Sequence, residues 1–231
     1  MSAFRRSVYF NPAALAIPAE LADQTDQVTG LARHFHAQLP GYSQTSLVYL
    51  DDVARELGVG AVCLKDETSR FGLPSFKVLG ASWGSFRALI QRLNLPLDTD
   101  LDTLKNTAAA AEAAAGRKFV LYAATDGNHG RAVARMGTVF GIASQIHVPS
   151  TMHATTIELI RSEGTTVVPC EGSYDDAVLE AQKASEQDPF GILIQDFAFG
   201  DYTAIPQVRP PFSIIHVCFH TASLSVKVFR C

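Results

Sequence analysis

Two short stretches carry residue types that could do chemistry together. The first is Arg70-Phe71-Gly72-Leu73-Pro74-Ser75-Phe76-Lys77-Val78-Leu79-Gly80, in which one lysine opens an apolar run directly after a Pro-Ser turn. An ammonium flanked by Phe76, Val78 and Leu79 is costly to desolvate. That predicts a lowered pKa and a neutral amine able to act as nucleophile or base. Taken alone, a lysine in such a helix more often reaches out to solvent. The second stretch is Ala124-Thr125-Asp126-Gly127-Asn128-His129-Gly130. Asp126 offers a carboxylate for proton transfer, and Asn128 offers both a donor and an acceptor. Gly127 and Gly130 let the backbone approach a flat ligand closely. An Asp-Gly-Asn run is also simply a good turn. Either motif alone is weak; the two in this order, about fifty residues apart, are specific.

The elements that must hold these residues follow from periodicity. Val28, Leu31, Ala32 and Phe35 mark one face of a helix between about Asp23 and Leu39, broken by Pro40-Gly41. A short helix capped by Asp51 or Asp52 ends at Gly58, and Ala61–Lys65 reads as a strand. The helix that carries Lys77 is expected from about Ser75 to Leu93, with Trp83 in the core. Asn94–Asn106 is polar and reads as a surface connection into an alanine-rich helix, Thr107–Ala115. From Lys118 short apolar strands (119–123, 142–148, 165–168, 191–195) alternate with amphipathic helices, the last of them N-capped by Ser173. Asp175 and Asp176 fall in its first turn, where acids suit the macrodipole. Such alternation predicts a parallel sheet, because parallel neighbours need a crossover between them. The Asp126 loop then lies at the carboxyl end of a strand, where open α/β sheets bind ligands.

Composition narrows the function classes. The 231 residues are 47% hydrophobic and 18% charged, with a formal net charge of −4, ordinary for a globular protein. With no polybasic run, there is no electrostatic case for nucleic acid or a membrane surface as partner. Cys63, Cys170, Cys218 and Cys231 are far apart, with no metal-like spacing, and read as reduced thiols of a cytoplasmic protein. No third ligand accompanies His34-x-His36, so that pair reads as surface or packed and no metal is expected. The N-terminus, with Arg5 and Arg6 and no acid before Glu20, is short for a mitochondrial presequence. No apolar run before residue 210 could span a bilayer, and His216, His220 and Lys227 interrupt the tail as an anchor.

The two motifs together resemble those of the fold-type-II pyridoxal-phosphate (PLP) enzymes, the tryptophan synthase β-like family that includes threonine dehydratase, serine racemase and cysteine synthase. The longer wording is most similar to the diaminopropionate ammonia-lyases: Arg70–Gly80, Ala124–Arg131, Ile160–Gly164, Tyr174–Val178 and Gln195–Ala198. An Asp before Gly-Asn-His-Gly separates these from the dehydratases. The resemblance covers about residues 10–207 and implies an α/β fold, an open parallel sheet with flanking helices. It further implies that Lys77 holds PLP as a Schiff base and acts as a base at Cα. Asn128 would contact the ring hydroxyl, with Gly127 and His129 shaping the same loop. Asp126 would be a second base on the opposite substrate face, and Asp196 a further active-site carboxylate. The implied reaction is α,β-elimination of ammonia from a small amino-acid substrate, 2,3-diaminopropionate, giving pyruvate and a second ammonia.

The resemblance stops at Gln207. The family's glycine-rich phosphate loop lies beyond the Gln-Asp-x-Ala segment, and no Gly-Gly-Gly-x-Gly occurs here. The expected division is therefore 1–85, part of a larger PLP-binding lobe; 86–200, a small α/β lobe; and 201–231, a divergent tail, leaving the second lobe incomplete. A homodimer is expected of a full-length relative and not of these residues. They are expected to be inactive alone, with Val28, Leu31 and Phe35 left on an uncovered apolar face. A non-catalytic fragment or binding module of the same fold, or a threonine/serine dehydratase, is the alternative.

Overall fold

Caps and left-handed glycines set the limits of most helices in the chain. The computed structural model describes residues 19–58, 60–203, 205, 207–208 and 212–213. The stretch weighed as a presequence falls almost entirely outside the described residues, as do Cys218, Cys231 and most of the tail. The elements are α1 (Ala19–Ala37), β1 (Leu47–Tyr49), α2 (Asp51–Leu57), β2 (Cys63–Lys65), α3 (Lys77–Arg92), α4 (Leu101–Ala115), β3 (Val120–Ala124), α5 (Asn128–Phe140), β4 (Ala143–Pro149), α6 (Ala154–Arg161), β5 (Thr166–Cys170), α7 (Tyr174–Gln187), β6 (Gly191–Leu193), β7 (Gln207–Val208) and β8 (Phe212–Ser213).

Strands β5-β4-β3-β6 form a four-stranded sheet, parallel throughout. The alternation of strands and helices after residue 118 is thus the arrangement the chain builds. β1 and β2 pair antiparallel as a separate small sheet. Ser173 caps α7 in a full capping box with Asp176, which satisfies two backbone donors reciprocally. α4 starts at Leu101, six residues before the expected start at Thr107. Asp100 accepts from the Thr103 N–H at 2.8 Å, and Leu101 and Leu104 are buried with Ala108. Asp100 is the cap and Asp102 lies in the first turn, while Asp98 belongs to the turn that leads in.

The sheet has two differently filled faces. Leu121, Ala123, Ile146 and Val148 join α1, α3, α4 and α5 in one large core. Ala124 and Cys170 face α7 with Ala177, Val178 and Ala181. The expectation of an uncovered face on α1 is corrected. Phe35 is 2% exposed and stacks on Phe86 at 4.3 Å, beside Trp83 at 6.0 Å. Val28 and Leu31 are half-buried against the same core. The partner is α3, which is buried almost all round and lies within the first 92 residues. The exposed large apolar side chains lie elsewhere, among them Leu47, Val48, Tyr49, Val53 and Leu57 on β1 and α2. The expected boundary between 85 and 86 falls inside α3, which runs unbroken across it. Among the described residues no helix is long and apolar enough to cross a membrane.

His34 is exposed and His36 is buried. His36 Nε2 lies 3.1 Å from the Leu79 carbonyl and 3.0 Å from Ser82 Oγ. A carbonyl can only accept, so Nε2 carries the proton. Burial pulls the ring's pKa from 6.5 down to about 4. The unfolded ring takes up a proton below 6.5 while the folded ring refuses one until about 4. This contribution is therefore fully present above pH 6.5 and lost as pH falls through that window. At about 1.4 kcal/mol per unit, the loss is at most roughly 3 kcal/mol. Urea unfolding between pH 7 and 4 is expected to show this slope, and His36→Gln is expected to flatten it. An unchanged slope in that variant would contradict the assignment.

Candidate active site

Lys77 is the first residue of α3, and its backbone N–H is accepted by Ser75 Oγ at 3.2 Å. The loop before it bends through Phe71 and Gly72, both at positive φ. A buried polar cluster holds that loop. Arg70 donates from Nε to Glu67 Oε2 at 2.5 Å and from Nη2 to Glu67 Oε1 at 2.6 Å. The same Nη2 reaches Thr45 Oγ1 at 2.7 Å, and Nη1 reaches the Ser43 carbonyl at 2.9 Å. Thr45 in turn donates to Glu67 at 2.6 Å. From the other side, Arg135 of α5 donates to the Phe71 carbonyl at 3.1 Å while paired with buried Glu163. The sheet-packed helix α5 is thereby tied to the segment that delivers Lys77.

Lys77 Nζ lies 2.5 Å from Asp196 Oδ2, with the two side chains 39% and 22% exposed. The ammonium is therefore not enclosed by Phe76, Val78 and Leu79 as its neighbours in sequence suggested. A carboxylate 119 residues away meets it. The side chain leaves the helix at its first turn, while Val78 and Leu79 turn into the core.

Asp196 follows β6, next to β3 in the sheet, and is placed by a network around Gln195. The Gln195 side chain is fully buried. Its Oε1 accepts from the Ala124 N–H at 3.3 Å, and its Nε2 donates to the Tyr174 hydroxyl at 3.1 Å. Its backbone N–H is 2.9 Å from the Tyr202 hydroxyl, which donates to the Leu193 carbonyl at 3.0 Å. His129 Nε2 donates to the Ile194 carbonyl at 2.9 Å, leaving Nδ1 3.7 Å from Asp196. Burial holds the His129 ring below its ordinary pKa, against Asp196 and the Ile194 bond. Burial pushes the Asp196 carboxyl up, but the His129 ring and Lys77 more than offset it, so the net displacement is downward.

The Asp126 loop joins β3 to α5. Thr125 Oγ1 closes it by accepting from the Gly127 and Gly130 N–H groups, both at 2.9 Å. Gly127 sits at φ 150°, backbone that side chains rarely adopt. A Cβ on Gly130 would lie 2.3 Å from Thr125 Cγ2 and 2.7 Å from Ile146 Cγ2. Gly130 therefore serves the close packing of α5 on the sheet, not approach to a ligand. Asp126 and Asn128 are exposed, and His129 is buried beneath them. Burial, with Asp196 and Asp126 acting through space, pushes the Tyr174 phenol up. Both carboxylates thus act on one hydroxyl.

The fold brings Lys77, Asp196 and His129 into contact, with the Asp126–Asn128 loop at the same carboxyl edge of the sheet. Sequence reading missed Tyr174, Tyr202 and the Thr45–Glu67–Arg70 cluster as positioning residues. Glu67 precedes Arg70 by one helical-type spacing, a weak local signal; Thr45 and Tyr202 give none. The residues present fit a carbonyl-bearing aromatic cofactor. A primary amine is partly open to solvent at Lys77, and an open carboxamide at Asn128 can both donate and accept.

Comparison with known proteins agrees with this fit. A family model described as "Pyridoxal-phosphate dependent enzyme" matches residues 38–214. The diaminopropionate ammonia-lyase of Escherichia coli is 34% identical over 177 residues, 76% of this chain and 42% of that protein. The crystal structure of the Escherichia coli enzyme in complex with D-serine superposes with a TM-score of 0.71 at 32% identity, covering 85% of this chain and 47% of that one. A probable D-serine dehydratase of Acinetobacter baumannii is 25% identical over 167 residues, 68% of this chain and 37% of that protein. The chain spans somewhat less than half the length of these relatives.

Proposed function

The chain belongs to the pyridoxal-phosphate dependent enzyme family, and from that premise we propose that it supplies the Lys77 side of an ammonia-lyase active site acting on 2,3-diaminopropionate. The observation that carries the proposal is the Lys77–Asp196 pair at 2.5 Å, at the sheet edge that also bears the Asp126 loop. Relatedness to diaminopropionate ammonia-lyases over most of these residues favours that substrate. The weaker match to a probable D-serine dehydratase keeps a β-hydroxy amino acid as a second reading.

The cofactor, when bound, would withdraw the electron pair left at the substrate Cα. The chain's own residues do the rest. Lys77 Nζ is the base for the proton on one face of Cα, and its pairing with Asp196 sets where that nitrogen points. Asp126 is the base for the opposite face, which would let one site take both D and L substrates. Asn128 would hold the ring hydroxyl of the cofactor, and Gly127 gives the loop its path. His129 holds the Asp196 segment through the Ile194 carbonyl. Loss of the Cα proton and of the Cβ amine as ammonia completes the elimination, and hydrolysis releases pyruvate and a second ammonia. The part up to α3, the α/β part from there to residue 200 and residues 201–231 are read as part of a larger lobe, a small lobe and a divergent tail, with α3 shared across the first junction. The 231 residues contain no Gly-Gly-Gly-x-Gly loop to hold a phosphate dianion, so alone they are read as inactive.

Ammonia release from D- and L-diaminopropionate tests this. Residues 1–231 alone are expected to give none. The same chain joined at Gln207 to the C-terminal half of the Escherichia coli relative is expected to turn over both isomers. In that protein Asp126→Asn is expected to slow the D isomer by about 10²- to 10⁴-fold, the usual worth of a positioned base, and the L isomer far less. Equal loss for both isomers would contradict the two-base assignment. A folded, cofactor-loaded protein with no turnover would point to a binding module.

A further inference from the structure

His147, Cys170 and Glu180, where β4 and β5 meet α7, have no part in the reaction above. Along β4, Ser144, Ile146 and Val148 turn to the large core, and Gln145 and His147 turn the other way, as strand alternation requires. His147 is 4% exposed and Cys170, at the end of neighbouring β5, is 1% exposed. They stand beside an apolar layer of Ala124, Ala177, Val178 and Ala181. His147 Nδ1 and Cys170 Sγ are 3.4 Å apart. Glu180, exposed on α7, completes a set whose ligand atoms all lie within 4.8 Å of one another.

We propose that His147 Nδ1, Cys170 Sγ and the Glu180 carboxylate form a zinc-binding site clamping β4, β5 and α7 together. Zinc takes nitrogen at about 2.0–2.1 Å and sulfur at about 2.3 Å in a tetrahedron, which makes the N···S edge about 3.5 Å. The observed 3.4 Å needs almost no rearrangement. A thiolate, an imidazole and one carboxylate suit zinc; magnesium and calcium demand an all-oxygen set. Three protein ligands leave the fourth corner to water, on the side where Glu180 meets solvent. An outer-shell partner stands behind the ring, with the Gln145 amide nitrogen 3.0 Å from His147 Nε2. As placed, that nitrogen donates to Nε2 and the ring proton sits on Nδ1; turning the carboxamide over sets its oxygen toward the ring, moves the proton to Nε2 and frees Nδ1 for the metal, the usual arrangement behind a metal-bound imidazole. Binding forms a Zn–S, a Zn–N and a Zn–O bond, and the Cys170 thiol proton leaves to solvent.

Spacing along the chain hides this set, because the three ligands come from three elements and no two of them stand in a metal-like motif. The test is titration of the reduced, metal-free 231-residue protein with cobalt(II), a spectroscopic stand-in for zinc, followed by zinc displacement. One cobalt per chain is expected, with the near-ultraviolet sulfur-to-cobalt band, and zinc is expected to remove the band and raise the unfolding temperature. Cys170→Ser is expected to abolish the band. Glu180→Gln, at an exposed position that leaves the fold intact, is expected to weaken binding by at least about tenfold, the least that losing even an outer-shell partner costs. A combined H216N, C218S and H220N variant, none of them among the proposed ligands, is expected to bind as before. No metal uptake, a band that survives Cys170→Ser, undiminished affinity in Glu180→Gln, or loss of binding with the tail variant would each overturn the site.

Discussion

Glu67→Ala is expected to destabilise the chain by about 3–5 kcal/mol, the cost of stranding one member of a buried ion pair. Both side chains are only 6% exposed. Arg70 would keep its bonds to Thr45 and Ser43 but lose both carboxylate contacts, leaving a guanidinium out of water with no counter-charge. Glu67→Gln keeps the shape and one acceptor and is expected to cost less. The control is Asp52→Ala, which breaks the pair with Arg55 at side chains 93% and 77% exposed and is expected to move the urea midpoint hardly at all. The consequence reaches the site, because the Thr45–Glu67–Arg70 cluster fixes the bend from which Phe76 and Lys77 enter α3. If Glu67→Ala moved the midpoint no more than Asp52→Ala, the cluster would not be what holds that loop.

Much of this arrangement was legible in the chain, and the parts that were not have physical reasons. The strand–helix alternation after Lys118, the Ser173 cap and the Trp83 core position all follow from local periodicity and local hydrogen bonding. Lys77 and the Asp126–His129 loop stood out because their residue types suit chemistry and their motif pairing is specific. Three things escaped. The start of α4 was hidden because Asp98, Asp100 and Asp102 look like a loop, although Asp100 is a cap and Leu101 and Leu104 supply the buried face. The environment of Lys77 was misjudged because the partner that matters, Asp196, is 119 residues away. The α1 face was expected to be bare because its cover was assigned to strands beyond residue 207, whereas α3 supplies it. For Lys77 and α1 a tertiary contact outranked what the neighbouring residues implied; for α4 a local cap, Asp100 to Thr103, did.

The second large effect concerns Lys77 itself. The chain has six lysines, at 65, 77, 105, 118, 183 and 227, and PLP can react slowly with any accessible amine. A built site makes the outcome selective. Lys77 projects from the first turn of α3, is partly open to solvent, and is held in place by Asp196. Asn128 stands exposed at the same edge, where the proposed reading has it receive the ring hydroxyl. Lys65 donates to the Thr45 carbonyl and Lys118 pairs with Glu112, so neither is set beside such a loop. Incubating residues 1–231 with excess PLP, reducing with borohydride and mapping the peptides therefore tests the central claim without requiring turnover. The expected result is a cofactor adduct concentrated on the peptide containing Lys77 and absent in Lys77→Ala. Label spread evenly over the six lysines, or concentrated on another one, would contradict it.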